Sequence, residues 1–206
     1  MDPPGSDRAR PTTAAIRQRL RDGLAPLHER LDARVTAYCL SPPRAGLRRL
    51  LAVHAHAFPP VVAGLQAAGA ARLWPDWDGP ARLAALSAEL GLGAPHGAAP
   101  PPERFENEPM AWGGLYALLG SRLGNKVVLR RLAEAGEPAT SAFLRHGADD
   151  ALEWRRFLER LEAALGPAGA GACRGAIEGA ALVMGRYLDA VERLSRREAR
   201  TGEALQ

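Results

Sequence analysis

The sequence predicts a single-domain, all-α protein. Alanine, leucine and arginine dominate the 206 residues, whereas valine, isoleucine and threonine are few, which favours helices over strands. Apolar residues recur at helical spacing, and no alternation typical of strands stands out. The 47% hydrophobic and 24% charged residues suffice for one globular core. We expect a multi-helix bundle at residues 12–195, between a disordered tail at 1–11 and a C-terminal tail at 196–206.

The first helix is predicted to begin after Thr12 or Thr13, either of which can act as N-cap, and to run towards Cys39. Pro26 lies inside this segment. Either the helix kinks there, or two helices meet and Pro26 opens the second. An apolar stripe follows the helical repeat at Leu20, Leu24, Leu27, Leu31 and Val35.

Further helical patterns follow along the chain. They cover residues 44–68, 81–90, 110–135, 148–165 and 172–195. The pair Pro59-Pro60 is expected to bend or break the first of these helices. Residues 91–102 are rich in glycine, alanine and proline, which predicts a surface loop.

Charge and cysteine content narrow the class of protein. The net charge is +4 and the isoelectric point about 9.7, but the arginines are interleaved with acidic residues, so we expect no nucleic-acid partner. Residues 1–11 lack the apolar core of a signal peptide, and no apolar run reaches the length of a membrane span. A cytoplasmic protein is expected, with Cys39 and Cys173 as buried thiols rather than a disulfide.

The helix predicted at 110–135 carries a stripe of small residues. With Gly113 at zero, a turn of about 100° per residue puts Ala117 at about 40°, Gly120 at about −20° and Gly124 at about 20°. A glycine inside a helix costs about 0.5–1 kcal/mol relative to alanine, so the stripe needs a reason. It serves either close packing of two helices or the close approach of a flat ligand to bare backbone.

His28 borders the apolar stripe of the first helix, four residues after Leu24 and three before Leu31. A neutral imidazole is a good axial ligand for haem iron, and Asp32, one turn further on, can fix its tautomer. The alternative is a histidine at the rim of the core, hydrogen-bonded to a neighbour. The sequence has no zinc-protease motif, phosphate-binding loop, dinucleotide fingerprint or nucleophile elbow.

In their order, these motifs resemble those of the haem oxygenase family, most of all its bacterial branch associated with bacteriophytochrome chromophore supply. Residues 27–32 (LHERLD) are similar to the proximal-histidine motif, and residues 69–92 to the middle segment. Residues 114–124 (GLYALLGSRLG) are similar to the distal helix. The resemblance extends over residues 12–195.

The resemblance implies that haem is both cofactor and substrate, that O2 is consumed, and that a reductase or ferredoxin supplies electrons. The haem is cleaved oxidatively to biliverdin, with release of CO and ferrous iron. His28 matches the axial ligand. Gly120 and Gly124 match the two distal glycines, and Ser121 and Asn125 are candidate proton donors or organisers of water, with Asn125 able to hydrogen-bond bound oxygen or to crowd the distal side. Arg21 is the best match for a residue that holds the propionates, and Arg155 is a weaker one. Met184 and Tyr187 are expected to line the pocket.

This sequence departs from the family pattern at two positions on the distal helix. Asn125 stands where a second glycine usually follows Gly124, and Leu119 stands where glutamate is frequent. These departures motivate an alternative, a haem-binding or haem-sensing protein of the same fold without catalysis. A further alternative is a haem-free helical interaction module, in which the small residues only pack helices.

Overall fold

The computed structural model describes residues 14–40, 45–91, 101–136, 140–147 and 150–203, and every regular element within these ranges is a helix. The all-α prediction is therefore confirmed. The helices are α1 (Ala14–Cys39), α2 (Gly46–Ala67), α3 (Ala70–Leu73), α4 (Gly79–Glu89), α5 (Glu108–Glu134), α6 (Ala142–Arg145), α7 (Ala151–Leu165) and α8 (Gly169–Glu203).

The longest helix, α8, is the centre of the bundle. Helices α1, α2 and α5 all pack against it, and α7 contacts α1, α5 and α8. By contrast, no Cα atom of α1 lies within 8 Å of a Cα atom of α5. The two helices that carry the predicted site thus both pack on α8 without packing on each other.

Proline residues inside the first two helices do not end them. Pro26 lies within one continuous α1, which decides between the two alternatives left by the sequence. It is solvent-exposed, so water can satisfy the carbonyl that loses its intrahelical donor. Helix α2 also continues through Pro59 and Pro60. Of the expected bend or break at this pair, the break is wrong. The Pro60 carbonyl accepts a hydrogen bond from the Glu103 amide at 2.9 Å.

The C-terminal helix is longer than predicted. It continues to Glu203, whereas the sequence pattern ended it at Ser195. Tertiary contacts explain the extra turns, because the Glu198 carboxylate accepts hydrogen bonds from Tyr38 of α1 at 2.9 Å and Arg49 of α2 at 3.0 Å. The short helices α3 and α6 were not predicted.

Several predictions lie wholly or partly outside the described residues. These are the tail at 1–11, the caps at Thr12 and Thr13, and most of the loop at 91–102. Within the described ranges, α2 passes as a membrane span on length and composition, but 61% of its most apolar window is buried in the fold, so the support is weak. Cys39 and Cys173 are both free and buried, as expected.

Candidate functional site

The glycine stripe of α5 divides into two halves with different surroundings. In the first half, a Cβ on Gly113 would lie within van der Waals radii of the Ala176 carbonyl of α8, and a Cβ on Gly179 would meet the Met110 carbonyl in the same way. These glycines therefore allow two helix backbones to touch. The interpretation as close helix packing holds for this half of the stripe.

The second half of the stripe has no such packing partner. A Cβ on Gly124 would meet nothing within 4 Å, and one on Gly120 would meet only Trp154 of α7, at 3.4 Å. Leu123 and Val127, on the same side of the helix, are each 40% exposed. Close packing of two helix backbones thus accounts for Gly113 but not for Gly120 or Gly124, and at Gly124 the backbone is open to solvent.

His28 lies on α1 with its imidazole accessible. Its side chain is 60% exposed, and Nδ1 lies 3.1 Å from the Asp32 carboxylate, the contact expected from their spacing. A neutral ring with its Nδ1–H donating to Asp32 directs Nε2 away from its own helix turn. Leu24 is buried and Leu31 half-buried, so the histidine does border the apolar stripe.

Two arginines of α1 act electrostatically on a tyrosine of α5. Burial raises the pKa of Tyr116 on α5, while the charges of Arg17 and Arg21 on α1 act to lower it. Sequence reasoning selected Arg21 but missed Arg17 and Tyr116. A signal was present, since Arg17 lies one turn before Arg21, and Tyr116 lies one turn before Gly120.

Trp154 of α7 covers part of the glycine face. Its indole lies 5.4 Å from the Tyr116 ring and stacks on Phe157 at 5.6 Å, measured between ring centroids. The edge of the indole ring lies over Gly120, whereas no atom covers Gly124. A planar ligand lying on Gly120 therefore requires the indole to move aside.

The remaining predicted site residues have varied surroundings. The Ser121 hydroxyl donates to the Leu118 carbonyl of its own helix at 2.8 Å. Asn125 is buried, and its amide donates to the Leu144 carbonyl of α6 at 3.4 Å. This hydrogen bond indicates that Asn125 joins α5 to α6, whereas the sequence suggested that it could bind oxygen. Met184 is half-buried against the core, and Arg155 is exposed on α7.

Tyr187 belongs to a buried polar group that the sequence did not reveal. Its hydroxyl and Nδ1 of His54 are 3.0 Å apart, and burial lowers the pKa of His54 to about 3, so this ring is neutral. Beside them, the Arg82 guanidinium lies between the rings of Phe58 and Phe143, 5.0 Å from each centroid. Burial lowers the pKa of Arg82 to about 10, which still leaves it charged at neutral pH.

A second buried arginine, Arg122, connects α5 to its neighbouring segments. Arg122 binds Glu153 of α7 and Asp78, which immediately precedes α4. The Asp78 carboxylate also lies 2.6 Å from Nε2 of His146. Among the residues that the structure describes, no group of three or more His, Cys, Asp or Glu side chains is arranged to hold a metal ion.

These helices define a class of structure. The all-α bundle, in which α1 and the glycine-rich α5 both pack on α8, has the haem oxygenase fold. The particular likeness is to the heme oxygenase of Neisseria meningitidis, whose crystal structures carry NO and CO. The TM-score is 0.69 and the identity 21%, over 86% of this chain and 90% of that chain. Neither a scan against models of protein families nor a search of curated proteins finds a match.

Proposed function

We propose that this protein is a haem oxygenase. It binds haem between α1 and α5 through His28 and cleaves it to biliverdin, CO and ferrous iron, using O2 and electrons from a reductase or ferredoxin. The observation that carries the proposal is the open half of the glycine stripe. Gly124 leaves bare backbone open on α5 and Gly120 is covered by the Trp154 indole, while α1, which packs on the same helix α8, carries an accessible imidazole.

Residues of α5 and α1 have the chemistry that a bound porphyrin needs. A flat macrocycle needs a wall without side chains, which Gly120 and Gly124 supply once Trp154 turns aside. His28 is suited to ligate iron through Nε2, because Asp32 can hold the proton on Nδ1. Bound haem supplies the redox chemistry, and the protein supplies ligation, orientation and exclusion of water.

Two exposed arginines of α1 are suited to the two carboxylates of haem. Arg17 and Arg21 lie one turn apart on α1, and arginine pairs with carboxylates through two parallel hydrogen bonds. Arg155 is retained as a weaker candidate for the same role. Met184 is proposed to line the pocket, and Tyr187 to support it from the interior through His54.

On the distal side, Gly120, Ser121 and Gly124 are the proposed residues next to bound oxygen. Ser121 already donates its proton to the Leu118 carbonyl, so its oxygen is the atom that can accept a hydrogen bond from water. Asn125 supports this side only indirectly, through its bond to α6. The bacteriophytochrome-associated subtype and the cytoplasmic location are part of the proposal and rest on sequence alone.

A haem titration with matched histidine variants tests ligation. Wild-type protein is expected to give a saturable Soret shift, and His28→Ala to lose or change the ligand-dependent part of that spectrum. His56→Ala is the control, since this exposed histidine lies on α2 and its Nδ1 is 2.9 Å from the Ala52 carbonyl. An unchanged spectrum in His28→Ala contradicts the ligand assignment. No saturable shift in wild-type protein favours the interaction module.

Turnover is measured separately, with the haem complex, a ferredoxin–reductase pair and air. Loss of the Soret band with appearance of biliverdin absorption, and CO trapped by deoxymyoglobin, is the expected result. A stable complex that keeps its Soret band under these conditions favours the non-catalytic alternative, which the departures at Leu119 and Asn125 motivate.

A further inference from the structure

Arg122 lies on the side of α5 that faces away from the open glycines. It is two positions after Gly120, which is a rotation of about 200° on a helix. Its side chain is only 4% exposed, and its two terminal nitrogens bind carboxylates from two different parts of the chain. Nη1 donates to Glu153 on α7 at 2.9 Å, and Nη2 donates to Asp78 before α4.

The surrounding backbone is shaped to admit this guanidinium. A Cβ on Gly147 would lie 2.5 Å from Nη1 of Arg122, and Gly147 has a φ of +67°, a conformation that favours glycine. His146, the residue before it, contacts the second oxygen of Asp78 at 2.6 Å. One buried cation therefore joins α4, α5, α7 and the segment that follows α6.

The connection to α7 leads directly to the glycine face. Glu153 is adjacent to Trp154, whose indole covers Gly120. The same glycines weaken α5 at this point, because glycine is a poor helix former, so the position of this half of the helix depends on tertiary anchors. Arg122 is the buried charged anchor, and it fixes α5 and α7 relative to each other.

We propose that Arg122 is a positioning residue for the haem site. Its bonds to Glu153 and Asp78 set the separation between the glycine half of α5 and Trp154, and they oppose the displacement of the indole that a ligand on Gly120 requires. The inference rests on the proposed function of α5 as the haem-facing helix. When these two bonds are removed, haem associates and dissociates roughly tenfold faster. A change of that size lies within the range of interaction energies between residues in contact.

The first test needs no haem. Amide hydrogen exchange is measured on peptides covering residues 118–126 of α5 and 151–157 of α7 in the full-length protein. Glu153→Gln, which keeps the size of the side chain, and Arg122→Met are expected to raise exchange in both peptides. Arg122→Lys keeps the charge but engages one carboxylate well, so it is expected to lie between wild type and Arg122→Met.

The matched control is Arg156→Met. Arg156 also joins α7 to the segment before α4, through Asp76 at 2.8 Å. These two side chains, however, are 53% and 48% exposed. An exposed pair contributes little, so exchange in both peptides is expected to match wild type. Equal exchange in wild type and Glu153→Gln overturns the proposal. If Arg122→Met does not fold by circular dichroism, Glu153→Gln and Arg122→Lys decide the question.

The second test measures haem transfer to apomyoglobin and stopped-flow haem binding for the same variants. Faster transfer and faster binding in Glu153→Gln and Arg122→Lys, with Arg156→Met unchanged, is the expected pattern. Faster amide exchange with unaltered haem kinetics overturns the positioning role. Failure of wild-type protein to bind haem contradicts the proposed function instead, and the exchange data then report separately whether Arg122 couples α5 to α7.

Discussion

Substituting alanine at the two ends of the α5 glycine stripe is expected to change stability in opposite directions. Gly113→Ala and Gly124→Ala are the same chemical change on the same face of one helix. Their surroundings differ, because a Cβ on Gly113 would overlap the Ala176 backbone of α8, whereas a Cβ on Gly124 would meet nothing within 4 Å.

The magnitudes follow from these distances. At Gly124 only helix propensity changes, so alanine is expected to raise the free energy of unfolding by about 0.5–1 kcal/mol. At Gly113 the new carbon would lie 2.7 Å from the Ala176 carbonyl carbon and closer still to its oxygen. Two helix backbones must then separate, and overpacking of this kind costs about 1–3 kcal/mol or more.

Urea unfolding of the haem-free protein, followed by circular dichroism at 222 nm, measures both effects. With an m-value of about 2 kcal/mol/M, the midpoint of Gly124→Ala rises by roughly 0.3–0.5 M, and that of Gly113→Ala falls by at least as much. If Gly124→Ala lowers the midpoint, a neighbouring group occupies the space next to Gly124, and the assignment of Gly124 as an open glycine is refuted. The proposed function adds that Gly124→Ala weakens haem binding although it stabilises the fold.

Other variants test the buried groups. Because the pKa of His54 is about 3 in the folded protein and near 6.5 when unfolded, the unfolded chain binds more protons between these values, so stability falls as the pH is lowered from 6.5. The fall is up to about 1.4 kcal/mol per pH unit, and urea unfolding at pH 7 and pH 5 should show it reduced in His54→Asn. Tyr187→Phe leaves His54 without its partner and is expected to cost about 1–3 kcal/mol, measured in the same way at pH 7. Burial raises the pKa of Cys39 to about 12, so in Cys173→Ala the remaining thiol should react with Ellman's reagent only as urea unfolds the protein; rapid reaction in buffer would contradict this.

The sequence predicted the fold class, most helices and the two candidate helices of the site, because apolar periodicity is a local signal. It also predicted the contact between His28 and Asp32, since residues four apart on a helix are neighbours. The end of α8 was missed because Glu198 is held by Tyr38 and Arg49, and these contacts exist only in the folded chain.

The interior of the site was beyond sequence reasoning for the same reason. His54 and Tyr187 are far apart along the chain, and nothing in their local patterns indicates that they are hydrogen-bonded. Gly113 and Gly124 are the same residue type on the same face of α5, and the proximity of Ala176 to Gly113 separates a packing glycine from an open one. The sequence predicted a distal-site role for Asn125, whereas its side-chain amide donates a hydrogen bond to the Leu144 carbonyl of α6.

The two open glycines are the part of α5 that packing does not explain. A helix selected only to lie close to α8 needs a small residue at Gly113, where the backbones touch, but none at Gly124, where there is room for a side chain. Retaining glycine at both Gly120 and Gly124 lowers stability by about 1–2 kcal/mol in total, a large fraction of what a small domain has in excess. Such a cost is expected where bare backbone has a use, and the proposed function supplies one, since a flat haem ligated by the accessible imidazole of His28 needs a wall without side chains.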